Sequence, residues 1–316
     1  MNQRQVRNLT ASIRDRLRIQ ARERNEEFQL ILTQYAIDRL LYRLSSSPYA
    51  DRFVLKGAML VSIWGGGRYR VTRDVDLLKF GSSELDHIET LFREVCEASV
   101  DVADGITFDP DSVRAQAIRE PNEYDGVRVK MTAFLDRAQI IVQVDVGFGD
   151  VITPSSEVIE LPGFLDLPRT RFRAYPKETV VAEKFQAMVA LGMANTRMKD
   201  FYDVWFLATR FAFNGPFLAS AVKATFARRR TALPEDTPAA LTTQFHDDDD
   251  KRRQWAAFLA RTRPEMEPPG LPDVTALIWR FVGPAVAALR NASADAGSVF
   301  KKSWPAGGPW DDNSAN

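Results

Sequence analysis

Asp74 and Asp76 stand two residues apart in Asp74-Val75-Asp76-Leu77-Leu78, a segment that alternates polar and apolar side chains. The alternation predicts a strand, on which residues two apart point to the same side with Cα atoms about 6.6 Å apart. Carboxylates held that close repel, and a cation between them is the ordinary remedy. All-oxygen ligands suit Mg²⁺, with Mn²⁺ as the alternative. A third acid, Asp145, lies in the apolar run from Ile140 to Val146, where an unpaired charge is costly. If its strand lies beside that of Asp76, the three acids are placed to hold one or two ions about 3.5–4 Å apart, the arrangement of two-metal phosphoryl transfer. The competing reading of the Asp pair alone is a strand cap facing solvent.

The surroundings of the pair favour phosphate chemistry. A short strand, Phe53-Val54-Leu55, runs into Lys56-Gly57-Ala58 and a brief helix to Trp64. Glycine at such a turn lets backbone amides approach a triphosphate, and a helix start favours anions. Arg68, Arg70 and Arg73 then precede the acids, either neutralising phosphate or forming a solvated basic loop. Lys184 lies among Val181, Phe185 and Met188 on the apolar side of a helix, where lysine rarely belongs. It either snorkels to solvent or reaches a nucleotide phosphate as a point charge. Asp200 and Asp203, three apart, share a face of the next helix. They fix Lys184 by ion pairing, touch the nucleotide, or face solvent.

The elements that must position these residues follow from periodicity. Val6, Leu9, Ile13 and Leu17 mark one helix, and Phe28, Ile31, Leu32 and Tyr35 begin a second that ends near Leu44. A helix runs from Glu84 to about Ala98. Val127, Val129 and Met131 alternate with Arg128 and Lys130 as a strand, and Ile140 to Val146 is another. Beyond Thr153-Pro154-Ser155-Ser156 the texture is helical, with segments near 176–192, 197–211, 216–229, 251–261 and 273–290. The expected division is 1–155 for two helices and an α+β core, 156–290 for a helical domain, and 291–316 for a disordered tail. Twenty of those last 26 residues are Ala, Gly, Ser, Asn, Asp or Pro.

Composition excludes several classes. The chain has 316 residues, 45% hydrophobic and 27% charged, with 42 basic and 42 acidic side chains, so no global positive field points to nucleic acid. The balance is uneven: residues 1–80 carry a surplus of seven positive charges and 81–155 a deficit of nine. Arg228-Arg229-Arg230 and Lys251-Arg252-Arg253 add basic clusters. A single cysteine, Cys96, excludes an intrachain disulfide and a thiolate zinc cluster, and it falls on an apolar helical stripe. Only His87 and His246 are present, too few for a histidine-based metal site. No apolar run approaches the roughly 20 residues of a membrane span, and no leader opens the chain. The expectation is a cytoplasmic protein.

Six segments in order, Arg39-Leu-Leu-Tyr-Arg-Leu44, Phe53-Val-Leu-Lys-Gly-Ala58, Thr72-Arg-Asp-Val-Asp-Leu77, Val144-Asp-Val-Gly-Phe-Gly-Asp150, Ala182-Glu-Lys-Phe-Gln-Ala187 and Lys199-Asp-Phe-Tyr-Asp203, resemble the AbiEii family. These are nucleotidyltransferase-like toxins of AbiE-type toxin–antitoxin and abortive-infection systems. The resemblance implies a DNA polymerase beta-like nucleotidyltransferase core, a mixed sheet with helices, followed by a C-terminal helical domain. It implies a Mg²⁺- and NTP-dependent toxin with a cognate antitoxin encoded alongside, and relatives that add nucleotides to the 3′ end of tRNA. On that pattern Asp74 and Asp76 are metal ligands and Asp145 the third carboxylate. Lys56 and Gly57 form the phosphate turn. The residues themselves add Arg73, Lys184 and Asp200 as expected nucleotide contacts. Lys184 and Asp203 match the catalytic lysine and aspartate of the helical half. Ala58 departs from the Ser or Gly that commonly follows the motif glycine, which removes a hydroxyl donor to phosphate.

The expected reaction is attack of an RNA 3′-hydroxyl, tRNA by the resemblance, on the α-phosphate of an NTP, by a monomer that touches no membrane. Asp145 is the expected proton acceptor. The alternatives are nucleotidylation of a protein or small molecule, pyrophosphate or phosphate transfer to RNA, and a nucleotide-binding toxin without turnover.

Overall fold

The computed structural model describes residues 3–66, 74–118, 126–291, 300 and 302–311, with side chains from residue 8 onward. Two compact units divide the chain. One comprises Met1–Ile63, Thr72–Gly149 and Glu157–Ala174, the other Trp64–Val71, Asp150–Ser156 and Tyr175–Asn316.

The first unit opens with α1 (Gln3–Arg24) and α2 (Phe28–Ser45). Then come β1 (Phe53–Lys56), α3 (Ala58–Trp64), β2 (Asp74–Lys79) and α4 (Leu85–Glu97). The strands β3 (Ile106–Ile118), β4 (Gly126–Leu135), β5 (Ala138–Phe148), β6 (Glu157–Glu160) and β7 (Arg171–Ala174) complete it. All seven strands form one mixed sheet in the order β3-β4-β5-β2-β1-β7-β6. The β2–β5 and β1–β7 pairs are parallel and the others antiparallel. Val127, Val129, Met131 and Ala133 of β4 and Ile140, Val142, Val144 and Val146 of β5 are buried, while their alternate neighbours are half-buried or exposed. This is the period-2 pattern of a sheet with one face on the core. On that face α2 packs against β5 and β7, and α4 packs against β3. Cys96 is buried at 7% exposure, and burial pushes its thiol up to about 12.

Ion pairs are buried beneath this layer. Arg39 Nη2 lies 2.6 Å from Asp38, and Arg43 Nη1 lies 2.7 Å from Asp104. Tyr35 donates its hydroxyl to the Asp104 carbonyl. Along α1, Arg14 and Arg16 pair with Asp136 and Asp166. Arg14, Arg16 and Arg43 thus match three of the seven surplus positive charges of residues 1–80 inside their own unit.

The second unit contains α5 (Lys177–Leu191), α6 (Met198–Arg210), β8 (Phe213–Asn214), α7 (Gly215–Arg228) and α8 (Thr243–His246). It continues with α9 (Asp249–Thr262), α10 (Leu271–Asn291) and β9 (Ser303–Trp304). Helix α5 packs on α6 and α7, and α10 on both of those. Among the described residues no helix is long and apolar enough to cross a membrane.

Three expectations need correction. No strand is expected at 106–118, yet β3 forms there, broken by a register shift between Asp109 and Arg114; the Asp-Pro-Asp sequence in that bulge hides the alternation. The segment 157–174, expected in the helical domain, adds β6 and β7 to the sheet, with Phe172 and Ala174 buried between exposed or half-buried arginines. Finally, residues within the expected disordered tail pack into the second unit. Trp304 is fully buried, its indole N–H donates 2.7 Å to the Ala208 carbonyl, and β9 pairs with β8. Trp310 donates to the Phe281 carbonyl. Small and polar residues dominate the tail, but Phe300, Trp304 and Trp310 carry large apolar area each.

Candidate active site

The site in the first unit is built by strand register. Lys56 of β1 pairs with Asp76 of β2, and Asp76 pairs with Asp145 of β5. Asp145 in turn pairs with Arg128 of β4. Cross-strand partners share a face, so Lys56, Asp76, Asp145 and Arg128 form one row across four strands. Asp74 begins the parallel row, opposite Gln143. Both Asp74 and Asp76 are half-buried and alternate with the buried Val75 and Leu77.

Gly57 follows β1 with φ +76°, a left-handed conformation that costs any other residue about 1–2 kcal/mol. A Cβ built there would lie 2.0 Å from Asp76 Oδ2 and 2.7 Å from its Cγ. The glycine is thus required twice, once by the turn and once by the Asp76 carboxylate that rests against its backbone. Ala58, the first residue of α3, is 8% exposed. Helix α3 has only seven residues, so the phosphate-binding reading rests on the Gly57 turn rather than on a helix dipole. Arg68, Arg70, Thr72 and Arg73 lie outside the described residues.

Asp145 has a partner the sequence did not single out. Arg128 Nε lies 2.8 Å from Oδ1 and Nη2 lies 2.7 Å from Oδ2, a bidentate fork that fixes the carboxylate plane. Gln143 Nε2 adds a 3.4 Å contact to Oδ2. The signal for Arg128 was present: it alternates with Val127 and Val129 as Asp145 does with Val144 and Val146. The pairing places Arg128 on the carboxylate that the three-carboxylate expectation gives to a metal ion. The backbone brings Asp74, Asp76 and Asp145 together, but among the described residues no three Asp, Glu, His or Cys side chains converge on a metal position. The two oxygen-bearing side chains of Asp74 and Asp76 have the chemistry of a hard divalent cation site; Asp145 is held by Arg128 instead.

Lys184, Asp200 and Asp203 gather within the second unit. Lys184 Nζ of α5 is 2.7 Å from Asp200 Oδ1 and 2.7 Å from Asp203 Oδ2, both on α6. Arg197 Nε reaches the other Asp200 oxygen at 2.7 Å. The two carboxylates are 1% and 0% exposed, and the lysine side chain 12%. Burial alone would raise the Asp200 carboxyl, but Lys184, Arg197 and Lys199 outweigh it and hold it below the usual carboxylate value. Of the readings open to Lys184, this geometry contains the ion-paired one.

Several members of the basic clusters of this unit are matched within it. Arg252 pairs with Asp247 and Arg253 with Asp250, while buried Lys251 donates to the Asn195 carbonyl at 2.9 Å. Arg229 bonds Gln186 at 2.9 Å and sits 3.4 Å from both Asp150 and Glu183. His87 is exposed on α4, and His246 Nδ1 meets Thr275 Oγ1 at 2.9 Å.

No curated protein matches the chain. Two solved structures from Helicobacter pylori are similar at a distance. One is a candidate nucleotidyltransferase with 16% identity and a TM-score of 0.48, covering 85% of this chain and 100% of that one. The other is JHP933, with 16% identity and a TM-score of 0.44, covering 84% and 97%. The family of nucleotidyl transferase AbiEii toxins of type IV toxin–antitoxin systems matches residues 39–281, well over half the chain, from within α2 to within α10. The chain belongs to that AbiEii family and is a nucleotidyltransferase, which implies a nucleotide substrate and a cognate antitoxin.

Proposed function

We propose that this toxin transfers a nucleoside monophosphate from an NTP to the 3′ end of an RNA, with tRNA as the target class that blocks translation. The row Lys56–Asp76–Asp145–Arg128, fixed by strand register, carries the reading. The 3′-hydroxyl oxygen bonds to the α-phosphorus, the bond to the bridging α–β oxygen breaks, and pyrophosphate leaves with that electron pair. The hydroxyl proton passes to the Asp145 carboxylate, which Arg128 orients. Lys56 and the Gly57 turn bind the triphosphate, and Arg73 adds positive charge to it.

Asp74 and Asp76 would hold a divalent cation, Mg²⁺ or Mn²⁺, which when bound screens the triphosphate and acidifies the attacking hydroxyl. Within the second unit Lys184 is a prearranged cation shared by Asp200 and Asp203, with Asp203 as its positioning partner. Catalysis of this kind is mostly positioning and electrostatics.

The test is transfer of label from each α-³²P NTP to total tRNA by the purified chain with Mg²⁺, beside Asp74→Asn and Asp76→Asn variants. Label on tRNA with the wild type alone is expected. Label on protein or on a small molecule overturns the RNA assignment, and no label with any NTP overturns nucleotidyl transfer.

A further inference from the structure

The face of β3, β4 and β5 that carries Asp145 sorts charge in a way composition conceals. Residues 81–155 hold fifteen acidic side chains and only six basic ones. Three of those six, Arg114, Arg128 and Lys130, lie on this one face. Register fixes them there: Arg114 is opposite Lys130 and Gln116 opposite Arg128, while Lys130 is opposite Gln143 and Arg128 opposite Asp145. Since Gln143 and Asp145 are opposite Asp74 and Asp76, two adjacent rows run outward from the Asp pair. One reads Asp76, Asp145, Arg128, Gln116; the other reads Asp74, Gln143, Lys130, Arg114. At about 4.8 Å between strands, each row spans about 14 Å.

Two further observations point to the occupant. Arg114 and Lys130 are exposed and have no carboxylate partner among the described residues, unlike Arg14 and Arg16 of α1 and Arg252 and Arg253 of α9. Arg114 turns its guanidinium to the carbonyls of Asp111 and Val113, which leaves its positive charge unneutralised. Further along the same face, Phe134 is 40% exposed and Ile141 55% exposed, with Phe134 two residues beyond Thr132, the partner of Ile141. Asp109, opposite Thr132, is the other acid of this face, and its Oδ1 accepts the Asp111 amide at 3.0 Å. Cations that follow a backbone beside an exposed aromatic platform are what a single strand of nucleic acid needs.

We infer that the single-stranded 3′ end of the acceptor RNA lies across β3–β5, its phosphates on Arg114 and Lys130 and a base on Phe134, with its terminal hydroxyl directed to the Asp145–Asp76 end of the rows. The inference rests on the nucleotidyl-transfer reading and names the surface that receives the acceptor. It assigns Arg114, Lys130 and Phe134 to binding, and leaves NTP binding independent of them.

The test uses the full chain and two separate titrations. One follows anisotropy of a short 5′-labelled single-stranded RNA with a free 3′-hydroxyl, over a series of salt concentrations. The other follows binding of labelled NTP alone. The Arg114→Glu/Lys130→Glu double variant is expected to weaken RNA binding by tenfold or more, and to flatten the salt slope by about 0.7 for each phosphate contact removed. Phe134→Ala is expected to weaken it at least about fivefold. Arg252→Glu, on the internally matched cluster, is the control and leaves RNA binding unchanged. All of these positions are exposed, and unchanged melting temperatures confirm intact folds.

RNA binding by the double variant equal to wild type overturns the inference, as does a chain that binds NTP but no RNA. A chain that binds RNA on this face but no NTP upholds the surface and refutes nucleotidyl transfer.

Discussion

Each unit of this protein gathers acids around a small set of cations, and the two groups differ in burial. In the helical unit Asp200 and Asp203 are sealed, at 1% and 0% exposure, with Lys184 shared between them. In the sheet unit Asp74 and Asp76 are half-buried, and the Asp145 side chain keeps 18% exposure beneath Arg128. A buried carboxylate cannot exchange its counter-ion for water without a large desolvation penalty. A half-buried one can exchange a partner for an incoming ligand. The helical group is therefore read as the more structural of the two, with Lys184 prearranged, and the sheet group as the one that meets substrate.

The largest expected effect tests the sealed group. Lys184→Met leaves two carboxylates buried without their shared cation, and loss of one partner of a buried pair costs about 3–5 kcal/mol. A large drop in melting temperature is expected, and the Lys184→Met/Asp200→Asn/Asp203→Asn triple variant should recover much of it. If Lys184→Met melts like the wild type and loses only activity, the contrast between the groups collapses and the lysine is a substrate-facing group. Next, Asp76→Asn should lower nucleotidyl transfer by on the order of 10²–10³-fold, with a smaller fall in melting temperature than Lys184→Met.

Gly57→Ala sharpens the comparison from the backbone side. The left-handed conformation costs about 1–2 kcal/mol, and the added Cβ displaces the Asp76 carboxylate. Activity should fall further than stability, as thermal melting and labelling of the same preparation would reveal. The smallest effect is with acid. The folded Asp200 carboxyl titrates below the ordinary aspartate value of 3.8, held down against its burial by Lys184 and Arg197, so its contribution to stability is present above about pH 3.8 and is lost as pH falls through the lower folded value. Asp200→Asn should reduce the steepness of acid unfolding below pH 3.8; equal slopes in wild type and variant would refute the assignment.

The Asp74-x-Asp76 pair, the Lys56-Gly57 turn and the odd placement of Lys184 were legible because each depends on local chemistry. A period of two sets which side chains share a strand face, and a lysine in an apolar helical stripe violates a local rule. The helices of the second unit were legible for the same reason. Less visible were β6 and β7, two four-residue strands with few apolar side chains, and the packed end of the chain, where three aromatics outweigh a composition rich in Gly, Ala and Pro.

By itself the sequence determined which residues carry charge, the strand and helix periods that orient them, and the family to which their order belongs. Only the tertiary structure decided that Asp145 stands opposite Asp76, that Arg128 takes both of its carboxylate oxygens, and that Lys184 answers two buried acids. Those outcomes depend on strand register and on helix contacts between residues far apart in the chain. A one-residue slip would turn Asp145 to the other face, and no local pattern records which strands become neighbours. The same non-local pairing sets Lys130 and Arg114 in the row that runs outward from Asp74, inside a segment whose composition is acidic.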